Sequence, residues 1–443
     1  MPARDTVLAQ ARRAYHALPR PLRRALNPLA AHILSLIAAC GDLGDGQAPA
    51  GSGVTVAGLF SSPSGIGEGA RLCADALEAL GWQVERLDLA PQLGLAIPAL
   101  RRPPDPMLAR GPIILHLNPP LFRSGLALIG RRRRRRRMVI GYWAWELEHA
   151  PRSWRRAASG LHEVWTPSTF SAAALKPVLD VAVHVVPHPV TTRAAAPART
   201  DFGLPEEACI FLGFASLHSN LARKNPQATI EAYAQAFPAR RGDVLLVIKL
   251  DGDTVAPDLA RALHAQAAAC ACPVRFLTEA LDQTARDRLI ASCDVLISLH
   301  RSEGFGLTMA EAMALGRPVV ATAWSGNMDF TLSGRAALVR AMLVPVRDPQ
   351  GFYDPAMRWA EPDLAEAAAW LQRLAATPAL RQRLAEAGAR MVLPARFAAA
   401  LRETALAAGT ILLQSSVAAP SVDAQAVDAQ DGSAGRVAGC RGF

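Results

Sequence analysis

The chain has 443 residues, 51% of them hydrophobic and 19% charged, with a formal net charge of +10. That balance fits a folded chain of two or three domains with large cores and excludes a predominantly disordered one. Seven of the positive charges lie in one run, Arg131 through Arg137, so the remainder carries only +3 and the basicity is local.

Residues 1–53 form an Arg- and Ala-rich lead and a Gly-rich linker. Within them, 29–40 (LAAHILSLIAAC) follows Arg20, Arg23 and Arg24. It reads as an amphipathic helix or as a signal-like core ending at Cys40; a long Pro-punctuated basic region and His32 weigh against the second. No stretch reaches the ~18 apolar residues needed to cross a bilayer. The first α/β domain is expected over 54–190. It opens with a buried strand at 54–60 (VTVAGLF), a small-residue loop at 61–69, a helix at 70–80 and a strand at 84–87. Gly65 and Gly67 would let a ligand approach the backbone there, though plain turn chemistry is the competing reading. A strand at 113–117 carries His116.

The arginine run precedes a strand at 138–142. It reads as a solvated loop or as a contact for an anionic membrane surface. No aromatics are interleaved with it, which argues against nucleic acid. Next comes WAWELEH, with Trp143, Trp145, Glu146 and His149 at the strand's C-terminal end. Flat aromatics beside a carboxylate suit a sugar surface; a packed loop with buried indoles is the other reading. Strands at 163–166 and 183–186 close the domain, and 191–200 reads as a linker.

The pattern then repeats over 201–395. Strands are expected at 209–214, 244–250, 274–277, 294–299 and 319–322, with helices at 226–237, 256–269, 282–292 and 307–315. A polar loop at 218–225 carries Arg223 and Lys224. Asp251-Gly252-Asp253 follows a strand and reads as a surface turn. After Phe330 come 337–346 and helices at 363–376, 379–391 and 396–413. The segment 396–414 is expected to return to the first domain, and 415–443 to be a disordered tail. The seven cysteines are scattered and lack metal-site spacing, which points to reduced thiols and a cytoplasmic chain, and to no metal site.

The segment 298–330 concentrates the chemistry. A strand, the Gly loop 300–306 and a helix leave backbone N–H groups open to an anion. Two carboxylates, Glu303 and Glu311, bracket that crevice. Gly304, Phe305 and Gly306 offer N–H donors, Lys224 and Arg223 offer cations, Glu311 could accept from a ribose, and Glu303 from a transferred sugar.

SEGFGLTMAEAMALGRPVVAT resembles the donor-site signature of the family 4 retaining glycosyltransferases, which have the GT-B fold: two Rossmann-like doubly wound domains facing a central cleft. GYWAWELEHAP, HEVWTPSTFSAAAL, VPHPV, RKNP, WSGNMDF and WAEPD resemble a bacterial surface-polysaccharide subgroup. The resemblance spans about residues 54–410 and implies transfer of a hexose from a GDP- or UDP-linked sugar to a glycan or lipid-linked acceptor, with no cofactor and no essential metal. By similarity Glu303 contacts the sugar, Glu311 the ribose and Lys224 the diphosphate, while the backbone of Phe305, Gly306, Leu307 and Thr308 contacts phosphate or sugar. Two departures stand out. Where many members carry a Gly-Arg pair before the Lys, this chain reads GFASLH, which leaves the second cation to Arg223 or another residue. Trp143 stands where many members have His, which leaves Glu146 or His149 for that side. A sugar-nucleotide epimerase on the same fold and a non-catalytic nucleotide-sugar-binding protein, recruited to the inner membrane face by the arginines, remain as alternatives.

Overall fold

Runs of Val, Ile, Leu and Phe in this chain become parallel strands covered on both faces. The computed structural model describes residues 53–408 except 98, 99, 102, 104, 106, 107, 192, 193, 391 and 392. The N-terminal lead with Cys40, part of the linker and the tail at 415–443 lie outside the described residues. The first half contains β1 (Val54–Gly58), α1 (Gly65–Ala79), β2 (Val84–Asp88), β3 (Ile113–Leu115), α2 (Pro119–Ile129) and α3 (Arg131–Arg134). It continues with β4 (Val139–Tyr142), α4 (Trp154–Ala158), β5 (Glu163–Thr166), α5 (Thr169–Leu175) and β6 (Ala182–Val185). Its sheet is all parallel, in the order β2-β1-β3-β4-β5-β6. Alternation assigns the faces: Val56, Ile114 and Ile140 pack on one side, Ala57, Leu115 and Val139 on the other.

The second half contains β7 (Cys209–Ser216), α6 (Leu221–Lys224), α7 (Pro226–Ala236), β8 (Val244–Asp251), α8 (Pro257–Ala268) and β9 (Val274–Leu277). Next come α9 (Gln283–Ser292), β10 (Val295–Ser298), α10 (Leu307–Ala314), β11 (Val319–Thr322) and β12 (Ala337–Val339). A hairpin, β13 (Ala341–Pro345) and β14 (Arg358–Pro362), precedes α11 (Leu364–Ala376), α12 (Pro378–Ala389), α13 (Leu393–Leu401) and α14 (Ala405–Ala408). The second sheet, also parallel, runs β12-β11-β10-β7-β8-β9. Strand order reverses between β7 and β10, and the crevice outside the carboxyl ends of such a pair is where doubly wound folds bind ligands. Phe397, Leu401 and Leu406, at the C-terminal end of the described chain, pack with Val54, Val56 and Ile114 beneath the first sheet. No helix among the described residues is long and apolar enough to cross a membrane.

The helix expected at 70–80 starts five residues earlier. Ser64 caps it, its Oγ accepting from Gly67 N at 3.2 Å. Gly65 and Gly67 therefore belong to its first turn and not to an open loop. A Cβ on Gly67 would lie 2.5 Å from Leu59 O and 2.7 Å from Ser62 O, so glycine serves backbone packing there. The arginine run is not a solvated loop throughout. Arg134 and Arg137 are buried. Arg137 Nη2 donates to Thr55 Oγ1 at 2.6 Å and its Nε to Gly111 O at 2.5 Å, while Arg133 pairs with Glu85. Asp251-Gly252-Asp253 does form a turn, with Gly252 at φ +80° and Asp253 Oδ1 accepting from Thr254 N.

Candidate active site

The reversal between β7 and β10 brings two loops together. After β7, the Asn220 side chain accepts from Arg223 N at 2.8 Å and starts α6. Asn225 ends it in the left-handed region, φ +54°, and its Nδ2 donates to Leu299 O at 3.0 Å. The polar loop of the sequence reading is thus one short helical turn fixed against the loop after β10. That geometry holds two cations over one carboxylate. Lys224 Nζ donates to Glu303 Oε1 at 2.5 Å, and Arg223 Nη1 lies 3.0 Å from Glu303 Oε2 and 2.7 Å from Ser302 O. Burial alone would raise the Glu303 pKa. Arg223, then Lys224 and His300, outweigh it and hold the carboxyl well below the usual range.

The backbone around Glu303 is braced from β11. Glu303 N donates to Ser325 Oγ at 2.8 Å and Gly326 N to Glu303 O at 2.9 Å. Ser325 adopts φ +77°, costly for a residue with a Cβ, and Gly326 approaches Gly304 O so closely that an added Cβ would sit 2.3 Å from it. Asn327 locks the turn through Thr322 O (3.0 Å) and His300 (3.1 Å). On its other side Gly304 O accepts from Ser168 Oγ at 2.6 Å and Ser171 Oγ at 3.3 Å, both from the first half. With its carbonyl so held, none of the N–H groups of Gly304, Phe305, Gly306, Leu307 and Thr308 donates to a protein acceptor among the described residues. They crown the N-terminus of α10, where Gly306 at φ +95° makes no side-chain cap. Uncapped N–H groups at a helix start favour an anion.

Glu311 lies in the second turn of α10, buried, with Arg286 Nη2 2.6 Å from its Oε2. The same Nη2 donates to Thr308 Oγ1 at 3.1 Å, and the guanidinium lies over Phe214 at 5.2 Å. Arg286 was not among the residues read from sequence. It stands inside α9, where no turn or glycine signals a site. The Nε atoms of Arg223 and Arg286 are buried and meet no acceptor among the described residues.

On the facing wall the indoles follow the packed-loop reading. Trp143 is fully buried, edge-on to Phe122 (5.2 Å) and Trp154 (5.8 Å), and is core, not a sugar platform. Trp145 is buried against Trp154 at 4.8 Å, and its Nε1 donates to His149 O at 2.9 Å. The His149 side chain is exposed, so its carbonyl is what the loop uses. Glu146 does reach the centre: its Oε1 lies 3.9 Å from Arg223 Nη2, and burial raises its pKa against the pull of Arg223. Gly65 faces Leu307 across the cleft, 3.8 Å from Cδ1 for an added Cβ. His116 stacks on Tyr142 (4.2 Å), Tyr142 on His188 (5.2 Å), and His188 meets Phe305 edge-on (5.0 Å). Burial depresses both histidines, His188 to about 3, so this column is uncharged.

Comparisons agree with the region and the fold. Residues 208–361 match the family model described as Glycosyl transferases group 1. Over 189 residues the chain is 31% identical to a D-inositol 3-phosphate glycosyltransferase of Nocardioides sp., a match that takes in 40% of this chain and only 39% of that relative. Among solved structures, sucrose-phosphate synthase from Thermosynechococcus elongatus superposes with a TM-score of 0.54 at 18% identity, over 82% of this chain and 98% of that one. Anabaena HepE, crystallised with UDP and glucose, gives 0.52 at 16% identity over 82% and 98%. WaaG, a glycosyltransferase involved in lipopolysaccharide biosynthesis, gives 0.51 at 15% identity over 80% and 99%. At such identities the likeness is one of fold, and the fold is GT-B.

Proposed function

We propose that the chain is a group 1 glycosyltransferase that moves a hexose from a UDP- or GDP-linked donor to a saccharide or lipid-linked glycan, with retention of anomeric configuration. The observation that carries this reading is Glu303, gripped by Arg223 and Lys224 beside the open N–H groups of α10 at the strand reversal. A diphosphate arriving there competes for the two cations and for the N–H groups. Glu303, released from Lys224, then accepts sugar hydroxyls and stabilises positive charge growing at the anomeric carbon. Glu311 receives the ribose, with Arg286 moving its donors toward the phosphates. The departing phosphate takes the acceptor's proton, so no protein base is required. The cations carry the diphosphate's charge, so transfer should persist in EDTA. The polysaccharide-type motifs support a place in surface polysaccharide synthesis, the scattered thiols a cytoplasmic chain, and the arginine run a contact with the inner membrane face.

A panel of UDP-, GDP- and dTDP-sugars tests the donor. The cognate donor stabilises the fold by about 2.7 kcal/mol at a hundredfold excess over its Kd. Product anomers read by NMR then test retention. Absence of stabilisation across the panel would remove the donor reading, and sugar epimerisation without acceptor would replace transfer by the epimerase alternative.

A further inference from the structure

The start of α5 is where the first half meets the glycine loop of the second, and four consecutive residues make that junction. Ser168 Oγ donates to Gly304 O at 2.6 Å. Thr169 gives its N–H (2.8 Å) and its hydroxyl (2.5 Å) to the Asp329 carboxylate. The Phe170 ring lies edge-on to Trp324 at 5.6 Å. Ser171 Oγ lies 3.3 Å from Gly304 O. Ser168 is held in turn by its own helix: its Oγ accepts from Ser171 N at 3.1 Å and caps α5.

The two serines are not equivalent. A hydroxyl has one proton to give, and Ser171 has a closer acceptor for its own in Trp145 O, at 2.6 Å. Ser168 is therefore the main donor to Gly304 O, and it is fully buried, so water does not compete for that bond. Gly304 is pressed against the first half as well: an added Cβ would lie 3.3 Å from Ala144 Cβ and from Trp145 O. Gly326 covers the flat face of the Gly304–Phe305 peptide. A Cβ added to Gly326 would lie 2.3 Å from Gly304 O, 2.5 Å from the carbonyl carbon and 2.8 Å from Phe305 N. A trans peptide is planar, so its C=O and N–H point in opposite directions. With the oxygen fixed on Ser168 and one face closed by Gly326, the Phe305 N–H is turned away from α5, and no acceptor among the described residues meets it.

We propose that Ser168 is a positioning residue of this site: from the first half it sets the plane of the Gly304–Phe305 peptide, and so aims an N–H group of the second half at the donor. Such a pin matters because glycine tolerates φ and ψ values that other residues avoid, which lets a peptide beside it turn over. Turned over, this one would present a carbonyl oxygen to a phosphate in place of an N–H. Affinity for a diphosphate held by the second half then depends on a hydroxyl of the first. The proposal rests on the donor reading of the N–H groups that follow Glu303.

The test has two arms on the full-length chain. S168A removes the hydroxyl, and S168G does so while keeping a residue that helix starts accept. S168T keeps the hydroxyl, and T169V breaks a neighbouring bond of the same junction. The first arm is ligand-free NMR on protein isotope-labelled in the glycine carbonyl carbons and the phenylalanine nitrogens. The four Gly–Phe peptides, at 213–214, 304–305, 351–352 and 442–443, then give signals apart from all others, three of them internal references. The Gly304 carbonyl is expected to move upfield in S168A and S168G, as a carbonyl does on losing a hydrogen bond, and to stay in place in S168T and T169V. A Gly304 signal that ignores the loss of the hydroxyl would overturn the contact. In the second arm, UDP, GDP and inorganic pyrophosphate are titrated into each form. S168A and S168G are expected to weaken pyrophosphate, and the nucleotide that binds wild type, by about five- to tenfold. S168T and T169V are expected to bind as wild type does. Unchanged affinity in S168A and S168G would overturn the positioning role, and so would an equal loss in T169V, which would mean a general loosening of the junction. Should wild type bind none of the three, the donor reading fails, and the first arm alone decides whether Ser168 sets this peptide.

Discussion

The two walls of the cleft are built from opposite materials. The wall from the second sheet is charged: Arg223, Lys224, Glu303, Arg286 and Glu311 are buried or half-buried in pairs, and each cation sits against a carboxylate. The wall from the first sheet is aromatic and neutral, with His116, Tyr142 and His188 stacked and Trp143 and Trp145 packed behind. Glu146, on the first wall, reaches the Arg223 guanidinium, and its pKa is raised where that of Glu303 is lowered. A charged wall suits a phosphate-bearing ligand, because each cation already sits against a carboxylate whose place a diphosphate can take. A neutral wall suits a ligand recognised through hydroxyls and ring faces. The division of labour is a property of the residues, and single substitutions on either wall should break it.

The largest effect is expected on the neutral wall. Trp143→Ala removes a fully buried indole and should cost about 3–5 kcal/mol of stability, read by urea unfolding. Acceptor KM among the molecules that remain folded should be unchanged. Full stability with a raised acceptor KM would instead make Trp143 part of the sugar surface.

On the charged wall, Glu303→Gln should lower kcat by about 10²–10³, the range seen when an electrostatic stabiliser is removed from an active site. The fold should persist, as circular dichroism would report. Unchanged turnover would end the assignment of Glu303. Stability against pH offers a second reading. The folded pKa of Glu303 lies below its unfolded value, so its contribution is fully present above the ordinary carboxylate range and is lost as pH falls through the depressed value. Glu146, raised, contributes in the opposite sense: it favours folding below the unfolded value, and that advantage disappears as pH rises through the folded one. E303Q should therefore flatten the acid limb of the unfolding curve, and E146Q should not.

Much of the charged wall was legible in the sequence because its parts are local. Glu303, the glycine loop and Glu311 lie within one strand–loop–helix unit, and Lys224 follows a strand of the same sheet. The neutral wall was harder. Trp143, Trp145, Glu146 and His149 are close in sequence, and only the path of the loop after β4 decides that the indoles turn into the core and Glu146 toward Arg223. Arg286 carried no local signal: it is a charged residue on a helix among other charged residues. Nor did the pairing of β13 with β14 across twelve intervening residues. Such long-range antiparallel pairs leave no period in the sequence, since five-residue strands of mixed polarity match neither template well.

The smallest effect on the reaction is expected from the arginine run, which divides into two groups. Arg137 is tied to Thr55, Gly111 and Pro112, at the ends of β1 and β3 where those strands begin, away from the carboxyl edge that forms the cleft. Arg131, Arg132, Arg135 and Arg136 are exposed. Replacing these four with Ser should leave turnover and thermal midpoint unchanged. Arg137→Met alone should lower the midpoint, because it leaves Thr55 and two carbonyls without their buried donor. An anionic vesicle surface attracts each basic residue by about 1 kcal/mol, and salt screens that attraction within a Debye length. The fourfold variant should therefore lose vesicle binding at low salt while retaining full activity on a water-soluble acceptor. Equal vesicle binding by both forms would remove the membrane reading of the run, and a fall in turnover on the soluble acceptor would show that the edge opposite the cleft is not independent of it.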